Sequence, residues 1–129
     1  MDKTISYLKK LFHILTLLLI ILSLYPGSIL GFLLYGDFGL HPQITKDFGY
    51  ISSNHLYAYF LISVLGFFSY LRDRKFKLVV IYLFFLSIIL EATHLVISKR
   101  SFQIEDLTAN ILGVLIAYII VLIYKFWRR

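Results

Sequence analysis

The stretch EATHLVISKRSFQIEDLTAN at 91–110 gathers the side chains in this protein that could do chemistry. Glu91 and His94 stand three residues apart, a spacing that puts a carboxylate and an imidazole on one face of a helix. Such a pair can share a proton or offer two ligands to a metal. Asp106 and Asn110 follow at the i, i+4 spacing, and Arg100 between the pairs carries a planar fork suited to a phosphate or carboxylate. A further imidazole, His55, opens an apolar run upstream.

These groups are set in a chain of 129 residues that is 60% hydrophobic, with a mean hydropathy of +0.83. Its apolar residues form long blocks, which is the composition of a membrane protein. A helix needs about 20 apolar residues to cross the hydrocarbon. Four runs approach that length, giving spans at about 11–26, 55–71, 78–97 and 107–124. LTLLLIILSL and LVVIYLFFLSIIL are continuous, not alternating, so helices and not a barrel are expected. The predicted fold is all-α, a single polytopic membrane four-helix bundle over 1–129, without low-complexity tracts or repeats. The first run follows Lys3, Lys9 and Lys10, as in a secretory leader, but no small-residue cleavage site follows it. YPGS instead breaks the helix near Pro26 and ILGFLLY resumes it, so 27–54 reads as an outer interfacial segment and loop.

Basic residues orient the spans. Lys3, Lys9 and Lys10, then Arg72, Arg74, Lys75 and Lys77, then Lys125, Arg128 and Arg129 share one side, which places the N-terminus and C-terminus in the cytoplasm. The net charge of +6 is therefore a topology signal, and no nucleic-acid partner is expected. Helical spacing sorts the polar residues into stripes: His55, Tyr59, Ser63, Gly66 and Tyr70; Ser87, Glu91, His94 and Ser98; Asp106, Asn110, Gly113 and Ala117. Stripes of polar and small residues belong between helices, because lipid offers no hydrogen bonds. His55, Glu91, His94, Arg100, Asp106 and Asn110 are thus expected to converge on an outward-opening polar pocket. Within it Glu91 would be held by Arg100, Asn110 or His94.

The chain has no cysteine, which excludes disulfides and thiolate chemistry. It shows no phosphate-cradling glycine loop and no recognisable catalytic nucleophile. Di-metal bundles use a Glu-x-x-His pair twice. Here it occurs once, and even with His55 and Asp106 as possible extra ligands no metal and no cofactor are expected. His13, far from the cluster, reads as a packing or interfacial residue.

The order of SLYP at 23–26, HLYAYFLISVLG at 55–66, EATH at 91–94, Arg100 and DLTANILG at 106–113 resembles the VanZ-like membrane proteins. The likeness covers nearly the whole chain. It departs where the family has Gln and this chain has His94, and where ISSN replaces an Asp-Lys pair ahead of His55. The resemblance implies a bacterial inner-membrane protein of the cell envelope, whose namesakes are associated with resistance to teicoplanin. Its partners would be membrane lipids and a lipid-linked cell-wall precursor or a glycopeptide. Three functions fit the residues. One is an envelope factor that binds such a ligand through the pocket. Another is an enzyme on lipid-linked precursors with Glu91 or His94 as acid or base, and the third is a small dimeric proton-coupled drug exporter using Glu91.

Overall fold

The computed structural model describes residues 2–129, and among them the chain is all-α, with one isolated bridge between Phe48 and Ile51. Its helices are α1 (Lys3–Leu24), α2 (Ile29–Tyr35), α3 (Ser53–Ser69), α4 (Phe76–Thr93) and α5 (Ile104–Trp127). Of these, α1, α4 and α5 are long and apolar enough to cross a membrane. At 17 residues α3 reaches about 25 Å. The all-α class agrees with expectation, but some bounds differ. The expected outer segment contains α2, and α4 stops at Thr93 instead of continuing to 97.

Each boundary has a local cause. Asp2 caps α1 by accepting the Thr4 N–H at 3.0 Å. The helix ends at Leu24 because Tyr25 precedes Pro26 and takes an extended conformation, ψ 132°. Ser28 then caps α2 through the Gly31 N–H at 2.9 Å, and Gly36 closes it at φ +70°, a conformation that glycine adopts freely. The cap of α3 comes from farther away: Asp47 accepts the Ser53 N–H at 3.0 Å. In α5, Glu105 and Asp106 lie in the first turn and Lys125 in the last, each favourable against the helix dipole.

The most extensive contact joins α3 to α5. There the backbones come close, because a Cβ on Gly113 would stand 2.8 Å from Leu56 O and from Phe60 N. Phe12 fills a similar gap beside Gly66 of α3. Phe67, Leu83, Val114, Ala117 and Val121 complete a core with no solvent exposure. Outside it the apolar residues face outward: Leu11, Ile14, Leu17, Leu18 and Ile21 are all exposed along α1. An apolar surface of this extent needs lipid against it.

The helices alternate in direction. At one end Lys9 is paired with Asp73, Lys125 lies 3.5 Å over the Phe76 ring, and Phe68 meets Tyr124 at 5.3 Å. His13 joins Tyr70 there at 2.8 Å. The opposite end holds α2, the loop that follows it, and the polar cluster. We expect Gly113→Ala to cost about 1–3 kcal/mol, since both obstructing atoms are backbone and the helices must separate. Thermal unfolding in detergent reads it, and an unchanged midpoint would show that α3 and α5 are not held at this distance.

Candidate functional site

The end of α4 places the first functional pair. Glu91 is buried with 0% side-chain exposure, and its Oε1 lies 3.3 Å from His94 Nδ1. The same oxygen accepts the backbone N–H of Gln103 at 3.0 Å, across the turn that leads into α5. His94 in turn donates from Nε2 to the carbonyl of Ser23 at 3.0 Å, so its Nδ1 can donate to Glu91 only when the ring is the doubly protonated imidazolium. These two tethers pull the chain off the helical path after Thr93. Glu91 Oε2 is buried without a hydrogen-bond partner.

A second pair joins α3 to α5. His55 Nδ1 is 2.8 Å from Asn110 Oδ1, and His55 Nε2 is 3.5 Å from Asp106 Oδ2. Asn110 is itself fixed, because its Nδ2 donates to the carbonyl of Ser87 at 3.2 Å. An amide oxygen can only accept, so His55 carries its proton on Nδ1. His55, Glu91 and Asp106 each bring a ligand atom within 4.8 Å of the others.

Arg100 serves the backbone. Its Nε donates to Tyr25 O at 3.1 Å, and its Nη2 donates to Leu22 O at 2.8 Å and Gly27 O at 2.7 Å. These carbonyls are left open where Pro26 stops α1, and a guanidinium there also suits the negative end of the dipole. Among the described residues no carboxylate lies within ion-pair distance of Arg100. Glu91 is therefore held by His94 and by the Gln103 amide, not by Arg100 or Asn110.

Over these groups lies a cavity of about 640 Å³. Its walls include His55, His94, Arg100 and Asp106 together with Leu19, Leu22, Ile29 and Leu30. Glu91 and Asn110 sit behind that wall. The 36–52 loop contributes His41, Gln43 and Asp47 to the lining. It is tied down by Asn54, which donates to Pro42 O at 2.6 Å and accepts the Ile44 N–H at 3.0 Å. Thr45 Oγ1 meets Tyr57 OH at 2.9 Å. His41 and Gln103 are the participants that the sequence did not single out. Neither has a helical stripe to mark it, and Gln103 acts through a backbone amide that any residue but proline would supply.

Helices with apolar outer faces, closing over a polar cavity at one end, define an integral membrane protein. The chain matches the family described as VanZ/LLP1 over residues 12–126, and it belongs to that family. No curated protein and no solved structure matches it.

Two outcomes follow from the geometry. Arg100→Lys keeps the charge but cannot reach all three carbonyls, so it should lower stability by about 1.5–3 kcal/mol. Thermal unfolding compared with Lys99→Ala, an exposed neighbour, checks this. His41, although exposed at the surface, is held below the ordinary histidine range by partial desolvation and then by the charge of Arg100, with Asp106 opposing. The unfolded chain therefore binds more protons between the two values. Stability should rise with pH up to about 6.5, be complete above it, and fall as His41 is protonated. His41→Gln should flatten this part of the profile, and an unaltered slope would assign it to another group.

Proposed function

We propose that the chain is a multi-pass protein of the bacterial inner membrane in which α3 is a fourth span and both termini are cytoplasmic. Its cavity then opens at the outer leaflet and receives the polar part of an amphipathic lipid-linked or glycopeptide molecule. The orientation rests on the basic residues: those at both termini and in the stretch from Arg72 to Lys77, which runs into α4, lie at the end marked by the Lys9 pair with Asp73. Binding of teicoplanin-type glycopeptides, or of the precursor they capture, would give tolerance.

The observation that carries this reading is the make-up of the cavity wall. A volume of about 640 Å³ suits a small-molecule site. Its lining combines the aliphatic Leu19, Leu22, Ile29 and Leu30 with the polar His41, His55, Arg100 and Asp106. An amphipathic ligand needs both. Arg100 retains the Nη1 amino group for an anionic oxygen, since its hydrogen bonds to the α1 carbonyls use Nε and Nη2. The test is teicoplanin susceptibility of a deletion strain complemented with wild type, Asp106→Asn or Glu91→Gln at matched membrane abundance. Wild type alone should restore tolerance. Equal behaviour of all three would remove glycopeptides as the ligand.

A second reading, an enzyme acting on lipid-linked envelope precursors, draws support from the two imidazole–carboxylate pairs, which are suited to proton transfer. Envelope lipids chromatographed after incubation with purified protein would then contain a new species. A dimeric exporter finds less support, because Glu91, its proton carrier, lies behind the cavity wall and is already bonded.

A further inference from the structure

His55 and Asp106 face each other across a gap that a positive centre, a second ring proton or a metal ion, would fill. Asn110 turns its amide oxygen toward His55 because its nitrogen is engaged by Ser87 O. That oxygen takes the proton on Nδ1 and leaves Nε2 facing Asp106 Oδ2 at 3.5 Å. In the neutral ring Nε2 presents a lone pair to a carboxylate, and the contact is repulsive. Glu91 completes the arrangement with a carboxylate of 0% exposure whose Oε2 has no partner. The three groups bring ligand atoms within 4.8 Å of one another.

We propose that His55 Nε2, Asp106 and Glu91 bind one divalent transition-metal ion of the zinc kind. Ligands about 2.0–2.2 Å from a tetrahedral zinc stand about 3.3–3.6 Å apart, and the His55–Asp106 separation already has that value. Two carboxylates balance the ion's charge, so no net charge is left in an apolar setting. Asn110 is the outer partner of the ligand histidine: it takes the Nδ1 proton, fixes the tautomer and aims Nε2. His94 and the Gln103 amide fix Glu91 in the same way through Oε1. His55 and Asp106 line the cavity while Glu91 closes the site from behind. An ion held there keeps its remaining coordination position toward the cavity, where an anionic oxygen of a phosphate or carboxylate can reach it. The sequence expectation of no metal rested on a single Glu-x-x-His pair, with His55 and Asp106 as possible additions to it. The structure draws the site instead from α3, α4 and α5, with His94 outside the ligand set.

The experiment is zinc binding by the full-length, tag-free protein in detergent, stripped with chelator and titrated with Zn²⁺ alone. We expect about one ion per chain by elemental analysis. Calorimetric affinity should weaken at least tenfold in Glu91→Gln and in Asp106→Asn, and stay unchanged in His13→Gln at the opposite end. Wild type that fails to take up an ion overturns the site, and so do folded carboxylate variants that bind as wild type does. Should the variants not fold, wild type decides alone. Zn²⁺ should protect His55, and not His13, from diethyl pyrocarbonate as read by mass spectrometry, and equal modification of both would sink the proposal. No drug or lipid enters these measurements, so their outcome is separate from that of the glycopeptide test.

Discussion

A carboxylate without solvent exposure at the end of an apolar helix constrains everything around it. Leaving Glu91 unpaired would cost several kcal/mol, more than most single contacts return. The chain meets that cost locally with the His94 ring and the Gln103 amide. Those bonds decide where α4 stops, how the turn runs, and where α5 begins. The α4–α5 connection takes its course from the carboxylate beneath it.

A second source of polarity is the broken backbone. Pro26 ends α1 within an apolar setting, where open carbonyls find no water to replace the helical bond. Arg100 meets three of them and His94 a fourth. The polar groups gathered at this end therefore divide by task. Arg100 and the outer nitrogen of His94 repair the end of α1. His55, Asp106 and Asn110 form a separate set on α3 and α5, with Glu91 at the seam between them. The other end needs no such repair, and it is joined by an ion pair and aromatic contacts.

The all-α class and the positions of the long helices were legible because continuous apolar runs fit only a helix. The stripe through Gly113 and Ala117 also predicted a close interface, and Gly113 lies against the α3 backbone. The end of α4 was not legible: Thr93 to Ile97 includes no helix breaker, and the helix stops because of tethers to Ser23 and Gln103, both distant in sequence. The fork of Arg100 was visible, but its partners are carbonyls, which carry no residue identity. The grouping of His55, Asp106 and Asn110 followed from spacing alone. Their division from His94 depends on ring and amide orientations that spacing does not encode. His41 escaped notice because a loop has no period to place it.

The clamp on α1 also sets an order of events. Its carbonyl partners lie at 22–27, while the guanidinium that satisfies them comes more than seventy residues later. During synthesis at about 5–20 residues per second, several seconds separate the two. Through that interval the end of α1 stays unmet, although its partners on α3 and in the turn after it are already made. The α3–α5 interface cannot form until later still. The polar end is thus completed only when the last helix arrives.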